Sequence, residues 1–212
     1  MQLKIDRLVN PYKESNTYLL PINKDNIVII DVGNYPIKLI NDYLKNNNKQ
    51  LVAVFLTHEH SDHCSGINEL AKYHEFDLYC SEACASNIEN EKQNLSCYIT
   101  AITPFKILQK KRKVYDGELI KLGDFIFEIM ITPGHSPGGI SIFVQDFVFT
   151  GDTILEKGKP YLAFPHSNKT DYLISINKLL NRIQNQTILP GHGDDFLMTE
   201  SIRKKLKLTP EH

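Results

Sequence analysis

The feature that most constrains this chain is an unbroken apolar run, Leu51 to Leu56 (LVAVFL), that ends directly in Thr57-His58-Glu59-His60-Ser61-Asp62-His63. A short apolar run without alternation suits a strand buried on both faces. Such a strand needs layers above and below it, and its end must open into a loop at a sheet edge. The same grammar recurs along the chain. Ile27–Ile30 (IVII) runs into Asp31, and FVFT runs into Gly151-Asp152-Thr153. Phe125–Ile131 leads to Pro133-Gly134-His135-Ser136-Pro137-Gly138-Gly139, and Thr187–Leu189 to Pro190-Gly191-His192-Gly193. Glycine-rich turns after strands present side chains into clefts.

Around these punctuation points the pattern predicts strands over Leu3–Val9, Thr17–Leu20, Ile27–Asp31, Leu51–Leu56, Glu118–Lys121, Phe125–Ile131, Ile140–Val144, Phe147–Phe149 and Thr187–Leu189. Gly123-Asp124 and Gln145-Asp146 fit hairpin turns. Helical spacing predicts Pro36–Asn46, Gly66–Tyr73, Thr170–Ile183 and Met198–Leu206. In the segment from Asp77 to Lys113 we expect a short strand near Leu78, a helix from Ser81 and a polar connection. Lys110-Lys111-Arg112-Lys113 is read as a solvated basic loop, with an anionic partner as the alternative. The element order suggests two α/β halves stacked by their sheets.

Composition narrows the function classes. The 212 residues suit one domain spanning 1–212, and a chain of this length needs no staple to hold a core. The net charge of −1 argues against a nucleic-acid partner. No apolar run approaches the length of a membrane span. The N-terminus is too polar for a secretion signal, so we expect a cytoplasmic protein with its four cysteines (Cys64, Cys80, Cys84, Cys97) reduced and mostly buried. His74, His166 and His212 are expected to be surface or packing residues.

His58 through His63 fit H-x-H-x-D-H. In extended chain, residues i and i+2 point the same way, so His58 and His60 can share an ion. Asp62 and His63 follow at a turn and offer a second pair. Imidazole and carboxylate suit zinc, and iron or manganese after it. With His135, Asp152 and His192 the set holds seven donors, more than one ion takes.

These motifs resemble the metallo-β-lactamase-fold superfamily, in its glyoxalase II-like branch of thioester hydrolases, from Asn16 to Gly193. The resemblance implies an α+β fold, an αββα four-layer sandwich of two mixed β-sheets packed face to face with helices outside. It implies that His58, His60 and His135 hold one metal, that Asp62, His63 and His192 hold the second, and that Asp152 bridges. Asp31 and Thr57 would support the ligand loop from behind. Two divalent ions, zinc first, would hold a bridging hydroxide that attacks an ester or thioester carbonyl, with Asp62 or Asp152 able to pass a proton. Ser61 and Cys64 are not needed as nucleophiles.

The substrate expected is a small acyl thioester or ester. Relatives often carry Gly-Arg-x-Asp where this chain has Pro160-Tyr161-Leu162-Ala163, and the helical region that grips glutathione is largely missing after His192. Tyr161 and Phe164 would make the rim more apolar and contact substrate. Alternatives sharing these motifs are an acyl-homoserine-lactonase-like lactone hydrolase, an iron persulfide dioxygenase using chiefly His58, His135 and Asp152, and a non-catalytic metal-bound interaction domain. Oligomeric state is not indicated.

Overall fold

The computed structural model describes residues 2–156 and 160–207; Lys157 to Lys159, within the stretch expected to border the cleft, and His212 lie outside the described residues. Among the described residues, twelve strands form two six-stranded sheets. The first is β1(Asp6–Val9), β2(Asn16–Pro21), β3(Asn26–Ile30), β4(Gln50–Phe55), β5(Asp77–Ser81) and β6(Lys111–Val114), side by side in chain order. The second contains β7(Leu119–Leu122), β8(Phe125–Ile131), β9(Ile140–Val144), β10(Phe147–Gly151), β11(Thr187–Pro190) and β12(Phe196–Leu197), again as neighbours in chain order. β3 to β6 run parallel, while the second sheet is antiparallel except at β10–β11. Parallel neighbours need long crossovers. Between β3 and β6 these are α1(Ile37–Asn46), the short pair α2(Ser61–Cys64) and α3(Ile67–Leu70), and α4(Glu82–Asn87). Among the described residues no helix is long and apolar enough to cross a membrane.

Strand alternation assigns each face. In β3, Val28 and Ile30 join Phe55, Phe127, Ile142 and Phe149 in a core between the sheets. Ile27 and Ile29 point the other way, onto Ile40, Leu44, Ile67 and Leu70 of the crossover helices. On the outer face of the second sheet, Met130, Phe143, Val148 and Ile188 meet Tyr172, Ile176 and Leu179 of α5(Lys169–Arg182) and Leu206 of α6(Glu200–Lys207). The order is helices, sheet, sheet, helices. The αββα sandwich expected from the sequence is the observed fold.

Several elements differ from the sequence reading. The first strand begins at Asp6 rather than Leu3, whose N–H instead donates to Gln145 Oε1 at 3.0 Å. The helix expected over Gly66–Tyr73 is cut to α3. Of the basic cluster, Lys110 is exposed and outside any strand, as expected, but Lys111 to Lys113 are not a loop. Lys111–Val114 is the edge strand β6, where charge discourages pairing with another chain. Its cations are matched: Lys111 with Glu89, Arg112 with Asp77 at 2.9 Å and Lys113 with Glu82 at 2.9 Å. Three cysteines are buried, and Cys97 is exposed.

Candidate metal centre

Five strands, β3, β4, β8, β10 and β11, end at the same edge of the sandwich and deliver the loops picked out in the sequence. Asp31 follows β3, the histidine motif follows β4, His135 follows β8, Asp152 follows β10 and His192 follows β11. The structure brings all seven side chains together. His58, His60 and His135 form one group; Asp62, His63 and His192 form another; His58, His63 and Asp152 form a third. Within each group the donor atoms lie within 4.8 Å of one another. Asp152 stands between the first two groups. Its oxygens are 3.4 Å from His135 Nε2, 3.5 Å from His63 Nε2 and 3.4 Å from His192 Nε2.

Residues behind the cluster decide which ring nitrogen faces it. Asp31 accepts three contacts: from Thr57 N at 2.7 Å, from Thr57 Oγ1 at 2.7 Å and from His63 Nδ1 at 2.9 Å. Since Thr57 spends its proton on Asp31, its oxygen accepts from His58 Nδ1 at 3.0 Å. His135 Nδ1 donates to the Tyr161 carbonyl at 3.0 Å. Each of these rings therefore holds a proton at Nδ1 and turns Nε2 to the cluster. Asp31 itself has a φ of 55°, a left-handed conformation that Asp tolerates better than most residues.

Gly191 is required by close approach. A Cβ there would lie 2.1 Å from Asp152 Oδ1 and 2.8 Å from His63 Cε1. The turn is held by Asn16, whose side chain donates to the Pro190 carbonyl at 2.9 Å and the Gly193 carbonyl at 2.8 Å.

The electrostatics split the cluster. Burial pushes His58 well below its ordinary value and, with the charge of His135, His60 to about 3. His135 is also lowered, chiefly by burial. Burial would lower His63 too, but Asp62, Asp152 and Asp31 raise it to about 9. Burial is likewise overcome at His192, where hydrogen bonds to Asp152 and Asp62 raise it to about 10. Burial opposes the charge on Asp62 and Asp152, yet the neighbouring His63 and His192 hold both carboxyls below the usual range.

The donors fit divalent metal ions. Among the described residues, the buried atoms His58 Nε2 and Asp152 Oδ1 have no hydrogen-bond partner. Leaving such a group unsatisfied costs about 1–3 kcal/mol, and a cation at this point would satisfy both. Imidazole with carboxylate is a zinc donor set, and one that iron or manganese also takes. By contrast, burial pushes the Cys64 thiol well up, and Ser61 Oγ has no hydrogen-bond partner among the described residues.

Glu59 is a functional residue that the sequence reading missed. It lies between two histidines of the motif and is 1% exposed. Its carboxylate accepts from Asn87 Nδ2 at 2.8 Å, from Ser136 Oγ at 3.0 Å and from Gly138 N at 3.1 and 3.3 Å. It thus pins the His135 loop to the His58–His60 pair. A Cβ on Gly138 would fall 2.2 Å from Glu59 Oε2, so glycine there is part of the same joint. Only a strictly local pattern would have been visible in the sequence, and these partners are remote in the chain.

The cluster lies at the floor of a cleft of about 690 Å³. Tyr12, Lys13, Leu95, Tyr98, Ile99, Tyr161 and Phe164 line it above the metal-ligand candidates. The Phe164 ring packs edge-on against His60, centroids 4.9 Å apart, and against the Tyr161 ring at 4.7 Å. His74 and His166 lie outside this cleft lining; His74 Nε2 pairs with Asn41 Oδ1 at 2.7 Å and His166 is exposed.

The family description "Metallo-beta-lactamase superfamily" matches residues 12–192. The chain is 31% identical over 185 residues to the probable metallo-hydrolase YqgX of Bacillus subtilis (strain 168), covering 86% of each chain. It is 28% identical over 188 residues to the hydroxyacylglutathione hydrolase GloC of Haemophilus influenzae, covering 85% of this chain and 86% of that one. Among solved structures, the BLEG-1 B3 metallo-beta-lactamase superposes with a TM-score of 0.85 at 24% identity, over 98% of both chains. The sandwich, the strand-end cluster and these matches agree: this chain belongs to the metallo-beta-lactamase superfamily.

Proposed function

We propose that the chain is a hydrolase of small acyl thioesters and esters that works with two divalent ions, zinc first and iron or manganese after it. In this reading His58, His60 and His135 hold one ion, Asp62, His63 and His192 hold the other, and Asp152 is shared. The observation that carries it is the position of Asp152, within 3.5 Å of imidazole nitrogens from both sets. Bound there, such ions supply a water nucleophile at neutral pH and polarise a carbonyl oxygen.

The chain's own groups do the rest. Asp31, Thr57 and the Tyr161 carbonyl fix ring orientation. Asp62 Oδ2 and Asp152 Oδ2 stand 3.3 and 3.4 Å from His192 Nε2; His63 and His192 keep both carboxyls ionised at rest, so they pass a proton only transiently. Tyr161 and Phe164 contact the substrate and shield it from water. The similarity to GloC supports the thioester, while the uncharged Pro160 and Tyr161 on the rim support weak dependence on the glutathione part. No nucleic-acid partner is invoked. A cytoplasmic location suits the four free thiols.

The test is elemental analysis of protein purified without chelator, followed by rates on thioesters, lactones and phosphodiesters. Two ions per chain and highest kcat/KM on thioesters are expected. A single ion held by four of these side chains, with Asp152 turned away, overturns the two-ion reading. Lactone preference points instead to the lactonase, and oxygen uptake with a persulfide to the dioxygenase. A fully loaded protein with no turnover points to the interaction domain.

A further inference from the structure

The polar connection after α4 carries a feature with no counterpart in its sequence pattern. Leu95 has a φ of 65°, a left-handed conformation that costs a bulky L-residue energy. Strain of this kind persists where the surroundings fix it, and it gathers at ligand-binding sites. Here the surroundings are a tied loop base. Asn94 is fully buried, and its Nδ2 donates to the Phe105 carbonyl at 2.8 Å. Ser96 N donates to Asn94 Oδ1 at 2.9 Å, and Phe105 N donates to Ser96 Oγ at 3.1 Å. Residues 94 and 105 are thereby clamped together, closing a compact surface loop of the kind whose ends meet. Leu95 is 7% exposed. It lines the same cleft as the histidine cluster, followed along the loop by Ile99 and by Tyr98, which is 63% exposed.

We propose that this clamped loop is the wall that selects the substrate, and that the substrate carries an apolar acyl chain on its scissile carbonyl, lying along Leu95, Tyr98 and Ile99. This rests on the reading of the site as an ester and thioester hydrolase. The physical ground is twofold. An apolar chain gains with each methylene removed from water against an apolar wall. The clamp fixes Leu95, and the turn that follows ties the backbone of Tyr98 to Leu95 and of Ile99 to Ser96, so less backbone entropy is lost on binding. The wall is separate from the donors of the metal centre, so chain-length preference and chemistry are set by different residues.

The experiment uses the whole metal-loaded chain and two series of thioesters, one of N-acetylcysteamine and one of alkanethiols. In one the acyl group grows from acetyl to octanoyl. In the other the acyl group stays acetyl and the thiol is lengthened. We expect kcat/KM to rise about tenfold or more along the acyl series and to stay level along the thiol series. Tyr98→Ala and Ile99→Ala should collapse the octanoyl-to-acetyl ratio towards one. Leu108→Ala, 74% exposed and outside the cleft lining, should leave that ratio as it is. A flat acyl series overturns the wall, and a slope in the thiol series alone overturns the acyl assignment. Binding of the S-octyl and S-ethyl thioethers by calorimetry separates the two readings. Tyr98-dependent preference for the octyl compound without turnover of any thioester keeps the wall and sinks the reaction. Turnover without that preference does the reverse.

Discussion

Asp31, Thr57 and Glu59, which underlie the histidine cluster, are at most 2% exposed, whereas Tyr98 and Tyr161 on the rim of the same cleft are 63% and 60% exposed. The floor is also densely bonded. Asp31 alone takes three contacts and Glu59 takes four. The rim is hydrogen-bonded at its base, through Asn94 and Phe105 on one side and through the Tyr161 carbonyl on the other, and the Phe164 ring rests on His60. A floor of this kind tolerates little change, because every displaced group leaves a buried partner unsatisfied. A rim of this kind can change its side chains without disturbing the fold. The comparison separates what makes the chemistry from what chooses the molecule, and substitutions on each level test it.

The largest effect is expected at Asp152. Its side chain sits between both sets of imidazoles and belongs to none of the apolar clusters. Asp152→Ala should lower kcat/KM by a thousandfold or more, about 4 kcal/mol, while circular dichroism stays that of the wild type. His74→Ala, which loses one partly exposed hydrogen bond to Asn41, is the control and should leave activity alone. Equal losses at the two positions, or unfolding of Asp152→Ala without metal, would show that the floor is not built around Asp152.

Asp31→Ala attacks the floor from beneath. It strands the Thr57 amide, the Thr57 hydroxyl and His63 Nδ1 in a buried place, and it frees the His58 ring to turn through Thr57. A loss of about 3 kcal/mol of stability is expected, read from denaturant melts, together with a fall in bound metal. An Asp31→Ala protein of unchanged stability would remove the case that this residue organises the cluster.

This floor was largely legible in the sequence, and the reason is local. His135, Asp152 and His192 each lie in a glycine-containing turn just past an apolar strand, and His58 to His63 form one short motif after β4, so both are patterns of neighbours. Asp31 and Thr57 were visible only through the family resemblance, since the contacts that join them to His58 and His63 are not written in their neighbours. The layers were legible because Ile27 to Ile30 and Leu51 to Leu56 are apolar on both faces and must be covered twice. What escaped depends on distant partners. β6 carries Lys111, Arg112 and Lys113 and reads as solvated, yet its register against β5 and its acidic partners make it a strand. Lys111 even has its side chain 7% exposed, the stem buried and the ammonium paired. Glu59 reads as a spacer between ligands until Asn87, Ser136 and Gly138 close on it. Leu95 gives no sign of a left-handed backbone, since the clamp that imposes it joins Asn94 to Phe105.

Glu59 offers the finer cut at the floor. Glu59→Gln keeps size and shape but replaces one accepting oxygen with an amide that only donates. Ser136 can turn its hydroxyl to accept, whereas the Gly138 N–H cannot, so at least one donor is opposed. We expect a loss of about 1–2 kcal/mol in stability and a fall in activity much smaller than that of Asp152→Ala. Glu59→Ala should cost more than Glu59→Gln. If both variants melt with the wild type, the His135 loop does not depend on this joint.

The smallest effect belongs on the rim. Tyr161 meets the floor through its backbone carbonyl, which orients His135, while its ring contacts Phe164 and its hydroxyl is no part of either link. Tyr161→Phe keeps the carbonyl and the ring. Metal content and melting temperature should therefore match the wild type, a match that no floor substitution is expected to show. Removing the hydroxyl should change the relative kcat/KM for acyl thioesters and lactones by a few-fold, about 1 kcal/mol, if it hydrogen-bonds a substrate oxygen. Ratios that do not move would reduce Tyr161 to a packing residue whose carbonyl alone matters. A drop in bound metal would place its hydroxyl in the floor, and the division between a floor that reacts and a rim that selects would have to be drawn elsewhere.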